Sequence, residues 1–359
     1  MDKRIVLASA GAGKTYFIAN DFSEDKRVFL ITFTNQNVEN IRNELLKRFK
    51  GKIPENIKVS TFDSFVYNQL IRPFEPIANF PIIKSKGVEV NIEPETDPRK
   101  YESYFKLDNP KHFLIDDKFY VSRLSKFFIK QDNNFKKMSL NRLNNFCDTI
   151  YIDEFQDYNG WNFKLLKYLL ESSKNSIVAV GDIFQSLVAP IRRDGKGSDL
   201  PFSEISSVED LSQKLSPKIK IDTDTLIKSR RVAPKICDFI STHLRISIES
   251  LSDNNGEIRW LNSASEANQI LIDSNIPKLV WDKRMNHNRI DNSINWSYSK
   301  GDTYLQTCVI LTEPASDLSN WVNLSNKSRN RLYVALTRSL GDVYLIPNTV
   351  FGEWKNKFN

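Results

Sequence analysis

Near its start the chain reads Arg4-Ile5-Val6-Leu7-Ala8-Ser9-Ala10-Gly11-Ala12-Gly13-Lys14-Thr15. An apolar run of strand length gives way to small residues, then to a lysine and a hydroxyl, and a helix is expected over 14–20. A strand, a glycine-containing turn and a helix in that order make a phosphate-binding loop. Ala10, Gly11, Ala12 and Gly13 carry too little bulk to keep backbone N–H groups from wrapping a phosphate. The helix N-terminus adds positive partial charge. Lys14 is placed to reach β- and γ-phosphates, and the Thr15 hydroxyl to ligate Mg²⁺. The usual pattern opens on glycine where this chain has Ala8, and Gly-Lys-Thr after small residues also arises by chance. Further pieces are needed downstream.

Outward from the loop, strands are expected over 28–33 and 57–60, and again over 149–152 and 176–180. Between the first two, Val38, Ile41, Leu45 and Phe49 recur at helical spacing, which predicts a helix over 38–49. Strands alternating with helices argue for a parallel sheet covered on both faces. Ile150-Tyr151-Ile152-Asp153-Glu154-Phe155-Gln156-Asp157 is an apolar strand ending in adjacent carboxylates. Asp153 is placed to hold Mg²⁺ and Glu154 to polarise an attacking water as general base; the bland alternative is an acidic turn capping the next helix. Val180-Gly181-Asp182-Ile183-Phe184-Gln185-Ser186 again ends a strand, where the Gln185 amide could sense a γ-phosphate and orient water. All three pieces fall at the carboxyl ends of expected parallel strands, where open α/β sheets bind ligands.

The rhythm breaks after Phe65. Residues 72–110, rich in Pro, Lys and Glu, look like an insertion, and 119–147 are expected to be helical. That helical stretch carries Arg123, Lys126, Lys130, Lys136, Lys137 and Arg142, with Phe127, Phe128 and Phe135 interleaved. Two readings stand: a solvated face over a small core, or a phosphate-contacting surface with stacking rings. Residues 190–224 are polar enough to link two halves. A second α/β region follows, with a helix over 234–243 and strands over 306–311 and 342–346. Trp260, Trp281, Trp296 and Trp321 in this region are read as core, with DNA stacking as the alternative.

The chain has 359 residues, enough for two or three domains, with 40% hydrophobic and 26% charged residues, an ordinary globular composition. The net charge of +7 raises the prior for a polyanionic partner only modestly. Three separated cysteines (Cys147, Cys237, Cys308) and three isolated histidines (His112, His243, His287) argue against a disulfide framework or a His-based metal site. No stretch approaches 18 consecutive apolar residues, and Met1-Asp2-Lys3-Arg4 runs straight into a strand. No membrane span and no signal peptide are therefore expected, and the expected location is cytoplasmic.

With these pieces in this order, the chain resembles the UvrD/Rep-like superfamily 1 helicases. Ile31-Thr32-Phe33-Thr34-Asn35-Gln36 is similar to the motif with which that family grips single-stranded DNA. Ser60-Thr61-Phe62-Asp63-Ser64-Phe65 resembles the next DNA-contact motif, with Asp63 where the family often has His. Residues 226–236 resemble the start of the family's second RecA-like half and put Arg231 on its γ-phosphate arginine. Ser299-Lys300-Gly301-Asp302-Thr303-Tyr304 resembles the Lys-Gly motif. Leu332-Tyr333-Val334-Ala335-Leu336-Thr337-Arg338 resembles the last motif, with Arg338 as arginine finger. Alone, Arg231 and Arg338 also read as surface arginines, and Phe33 and Phe62 as core.

The resemblance implies an α/β fold of two RecA-like P-loop NTPase domains with parallel sheets and a small, mainly helical insertion in the first. Residues 1–65 plus 146–215 would form the first domain, 66–145 the insertion and 216–359 the second domain. It implies ATP and Mg²⁺ held by Ala10–Thr15 and Asp153, and Glu154, Lys14, Gln185, Arg231 and Arg338 in catalysis. Tyr16, Arg230 and Gly301 would complete the nucleotide site. Thr32, Phe33, Thr34, Asn35, Thr61, Phe62, Arg192, Ser299 and Lys300 would contact single-stranded or partly duplex DNA, translocated 3′→5′.

There are departures. The family's adenine-stacking tyrosine is replaced by Arg230, whose guanidinium plane can also stack. The upstream adenine-reading glutamine motif is not expected, since the sequence opens almost at the first strand. After Gln185-Ser186 the family's DNA-stacking aromatics are replaced by Leu187 to Arg193. Only about 55 residues separate Ile240 from Trp296, too few for the family's large second accessory domain. Three readings follow: an ATP-driven translocase or helicase; a DNA-responsive ATPase subunit acting with a partner such as a nuclease, as in antiviral systems; or a P-loop kinase with no DNA role, which leaves the Thr32–Asn35 and Thr61-Phe62 motifs unexplained.

Overall fold

The computed structural model describes residues 2–79, 84–186, 205, 207–282 and 290–358. Contacts divide the chain into two units. The first takes Lys14–Gly181 with segments ending at Val6 and at Asp222; the second takes Leu7–Gly13, a segment beginning at Asp182, and the chain from Thr223 onward.

In chain order, β1 (Lys3–Ala8) leads into α1 (Lys14–Asn20), β2 (Val28–Thr32), α2 (Asn35–Arg48), β3 (Ile57–Thr61) and α3 (Phe62–Phe65). The helix α2 starts three residues earlier than apolar spacing predicts. The cause is a cap: the Thr34 hydroxyl accepts the Asn37 N–H, which fixes the start, while Val38, Ile41 and Leu45 form the buried face. The backbone continues from α3 into a π-helical stretch, Val66–Ile71.

The insertion then contributes β4 (Gly87–Glu89), β5 (Leu114–Ile115), β6 (Lys118–Tyr120), α4 (Leu124–Lys130) and α5 (Asn133–Phe146). The three strands form a small sheet in the order β4-β6-β5, an element that sequence reasoning did not foresee. Asp132 caps α5 by accepting the Phe135 N–H, which splits the expected helix in two. Phe127, Phe128 and Phe135 are wholly buried, packed edge-on with Phe113 and Phe119. Of the two readings of these rings, the small core holds and base stacking does not: the five rings pack together, and Leu70, Ile71, Leu124, Leu140 and Leu143 are buried as well. Arg123 is buried too, donating to the carbonyls of His112 and Glu95. Lys126 and Lys130 lie instead over the Trp161 ring, at 5.7 and 5.4 Å.

After the insertion come β7 (Thr149–Asp153), α6 (Gly160–Ser172), β8 (Ser176–Gly181), α7 (Val208–Lys214) and β9 (Lys220–Leu226). The large sheet has the order β3-β2-β7-β8-β1-β9, with β2, β3, β7 and β8 paired in parallel. All of β7 and β8 beyond their first residues is buried, as expected of strands covered on both faces. Leu165, Leu166, Leu169 and Leu170 make the inner face of α6. Strand β9, placed by sequence in the 216–359 segment, lies beside β1. Only Leu226 in it is buried, so no apolar run marks it as a strand.

The second unit continues with β10 (Lys228–Ser229), α8 (Pro234–Leu244), β11 (Glu249–Ser250), β12 (Ile258–Trp260), α9 (Ala264–Ile272), β13 (Lys278–Val280), β14 (Ser293–Asn295), β15 (Thr307–Ile310), α10 (Asn326–Leu336), β16 (Val343–Ile346) and α11 (Asn348–Phe358). Its five-stranded sheet, β12-β16-β15-β13-β14, is parallel throughout. Alternate residues of β15 serve opposite faces: Val309 packs with Trp296, Trp321 and Tyr333, while Cys308 and Ile310 pack with Leu271, Phe351 and Trp354. Trp296 and Trp321 are core, and Trp260 and Trp281 are half-buried. Among the described residues no helix is long and apolar enough to cross a membrane.

Candidate active site

In the first unit Lys14 opens α1 and Glu154 follows β7. The Lys14 Nζ lies 3.5 Å from Glu154 Oε1, and both side chains are largely shielded from solvent. Glu154 is held at φ +52°, a left-handed conformation that costs a non-glycine residue about 1–3 kcal/mol. Neighbours hold it there. Its N–H donates to Asp153 Oδ1 at 2.9 Å, and Gln156 Nε2 donates to its Oε2. Gln156 is wholly buried against Gly181, where a Cβ would fall 2.0 Å from Gln156 Oε1. Strand β8 therefore ends in glycine for a reason of space.

Asp153 is buried at the end of β7, and Thr15 is half-buried. Among the described residues no group of three or more His, Cys, Asp or Glu side chains is gathered to hold a metal. A hydroxyl and one carboxylate are an oxygen-only donor set, which suits Mg²⁺ completed by substrate oxygens and water.

The expected DNA-contact motifs converge on Tyr158. Its buried ring meets Phe33 at 5.7 Å and Phe62 at 4.6 Å, both edge-on. Burial pushes its phenol well above the ordinary range. Phe62 is only 1% exposed and Thr32 is fully buried, so these two expected contact side chains are packing groups here. Phe33 and Thr61 are half-buried, and Thr34 and Asn35 are exposed. Arg192 lies outside the described residues.

In the second unit the loop Ser9–Gly13 meets the segments after Asp182 and β10. Gly11 has φ +75°, and a Cβ there would sit 2.7 Å from Arg231 Cβ and 2.8 Å from Ser229 Oγ. Glycine is required on both counts. The Arg230 N–H donates to the Gly11 carbonyl at 3.0 Å. Ser229, wholly buried, accepts from the N–H groups of Arg231 and Val232. The Ala10 N–H donates to the Tyr333 hydroxyl at 3.0 Å, which donates to Asp182 Oδ2 at 3.1 Å; Gln185 Nε2 donates to the same oxygen at 2.8 Å.

Arg338 is buried, its guanidinium donating to the Val334 carbonyl, to Thr337 Oγ1 and, at 3.5 Å, to the Ser299 carbonyl. Burial first, and the Arg231 charge second, pull it down to about 10. Burial also lowers Arg231. Ser299 is wholly buried, its hydroxyl donating to the Trp296 carbonyl, so of its motif Lys300 is the half-exposed member. Tyr16 and Arg230 are exposed, and Gly301 has φ +96°.

Each unit thus gathers part of the expected set: Lys14, Asp153 and Glu154 in the first; Ala10, Gly11, Gln185, Arg231 and Arg338 in the second. Sequence reasoning passed over Gln156, Asp182, Ser229 and Tyr333. All four stand inside or beside quoted motifs, but their roles come from partners that burial brings together, which the sequence does not mark.

A strand–turn–helix phosphate loop beside a shielded lysine–carboxylate pair, on α/β units with parallel sheets, defines a P-loop NTPase fold of the RecA-like kind. A family model described as AAA domain (AAA_19) matches residues 2–189, more than half of the chain, and the chain belongs to this family, as a UvrD/Rep-like superfamily 1 member. It is 25% identical over 228 residues to the ATP-dependent DNA helicase Rep of Buchnera aphidicola subsp. Baizongia pistaciae (strain Bp), covering 51% of this chain and 34% of that protein. It is 30% identical over 171 residues to a probable DNA helicase II homolog of Mycoplasma capricolum subsp. capricolum, covering 48% and 20%. The matched stretch spans about a third of the first relative's length and a fifth of the second's. The solved complex of arterivirus nonstructural protein 10 (helicase) with DNA shares the fold at 13% identity, with a TM-score of 0.50, covering 98% of this chain and 63% of that one.

Proposed function

We propose that the chain hydrolyses ATP in response to single-stranded DNA and moves along it 3′→5′ as a translocase or helicase. The observation that carries this reading is the shielded Lys14–Glu154 pair at the ends of α1 and β7. A nucleotide's outer phosphates would take over Lys14 and release Glu154 to accept a proton from the attacking water. Gln156 keeps the carboxylate aimed. The Thr15 hydroxyl and Asp153 carboxylate would hold Mg²⁺, which neutralises charge on the phosphates when bound.

Gln185 would orient the water. Arg231 and Arg338 would stabilise charge on the transferring phosphoryl group. Burial first and the Arg231 charge second disfavour a charged Arg338, and an anion arriving beside it would offset both. Tyr16, Arg230 and Gly301 would border the nucleotide. The exposed Thr34 and Asn35, with Phe33, Thr61 and Lys300, would meet the DNA strand.

The test is phosphate release from ATP with and without single-stranded DNA, beside Glu154→Gln. Stimulation by DNA, with at least a hundredfold loss in the variant, is expected. Hydrolysis that is absent or indifferent to DNA would sink the reading and turn attention to an ATPase subunit completed by a partner protein.

A further inference from the structure

Tyr298 is the second residue beyond Trp296, in the turn that follows β14 at the carboxyl end of the second unit's parallel sheet. It is 76% exposed. A single exposed aromatic needs no explanation by itself, but this one is set on a stiff frame. The N–H groups of Tyr298 and Ser299 both donate to the Asn295 carbonyl, at 2.8 and 3.2 Å. The Ser299 hydroxyl donates to the Trp296 carbonyl at 2.8 Å, and the buried Trp296 ring is pinned by Nε1 to the Leu279 carbonyl at 3.0 Å.

Its surroundings are cationic and aromatic. Arg331 lies over the Trp281 ring at 4.5 Å, with Asp282 and Tyr298 the groups that act on its charge. Lys300 stands two residues on. A ring held out from a hydrogen-bonded turn, with the Arg331 guanidinium acting across to it and a lysine two residues on in the chain, is a combination suited to single strands: cations track phosphates and the ring takes a base. The carbonyl of the next residue, Ser299, receives Arg338.

We propose that Tyr298 stacks on a nucleobase of single-stranded DNA, supplying a base-binding face in the second unit. The inference rests on the proposed DNA reading.

The experiment measures binding of a labelled oligothymidine and of an equally long oligonucleotide of abasic sites by fluorescence anisotropy. The wild type should prefer the oligothymidine. Tyr298→Ala should weaken oligothymidine binding by about 5- to 100-fold while abasic binding stays, and Tyr298→Phe, which keeps the ring, should retain the preference. The DNA concentration for half-maximal phosphate release should rise with Tyr298→Ala by a similar factor. Equal affinity of Tyr298→Ala and wild type for oligothymidine, or equal losses on both oligonucleotides, would overturn the stacking inference alone. A wild type that binds neither oligonucleotide would overturn the DNA reading and this inference with it.

Discussion

Tyr333 shows what one hydroxyl contributes. It accepts the Ala10 N–H of the phosphate loop and donates to Asp182, both within the second unit and away from solvent. Tyr333→Phe leaves a buried donor and a buried carboxylate oxygen each one partner short, which costs about 1–3 kcal/mol. Urea unfolding of the two proteins should show that loss, and a difference below about 0.5 kcal/mol would mean that water replaces the hydroxyl. At this scale the charged members of the proposed site, Lys14, Asp153, Glu154, Arg231 and Arg338, could be named from sequence because they carry chemistry in their side chains. Tyr333 could not, because its part depends on residues more than 150 positions away.

Among elements, Arg27 and Asp148 tie the amino ends of β2 and β7. Asp148 accepts from the Arg27 N–H at 2.9 Å and pairs with its guanidinium at 2.6 Å. The Arg27 hydrogen bonds hold the Asp148 carboxyl down, at about 2. A carboxylate with a depressed folded pKa contributes stability above its unfolded value, near 4, and loses that contribution as pH falls toward 2. Asp148→Asn should therefore lower the denaturation midpoint at neutral pH. The gap from wild type should close between about pH 4 and pH 2. The pair is part-exposed, so solvent screens it and the effect is small. A gap unchanged down to pH 2 would show that the pair contributes nothing through its charge. The strands themselves were readable in advance because covered parallel strands are continuous apolar runs; β9 was not, since backbone pairing leaves no mark on a polar sequence.

Across the whole molecule the three thiols report on the two units. Cys147 lies in the first, Cys237 and Cys308 in the second, all buried and free. Burial pushes each up to about 12, which leaves roughly one thiolate in 10⁴ at pH 8. Alkylation of the native protein at pH 8 should therefore be very slow at all three. In rising urea, Cys237 and Cys308 should become reactive together, since they sit on two faces of one sheet and share its unfolding. Peptide mass spectrometry reads this directly, and separate transitions for Cys237 and Cys308 would show that the second unit does not unfold as one.

Sequence by itself determined the P-loop α/β class and the alternation of strands and helices, and it named the ionisable residues of the proposed site. These are local properties: an apolar run, a helical spacing, small residues before a lysine. Tertiary structure alone decided which rings are available. Phe127, Phe128, Phe135 and Phe62 went into cores, while Tyr298 was left outside on a pinned turn. An aromatic side chain has the same composition in either place, and only the packing of distant segments settles whether its face meets protein or solvent.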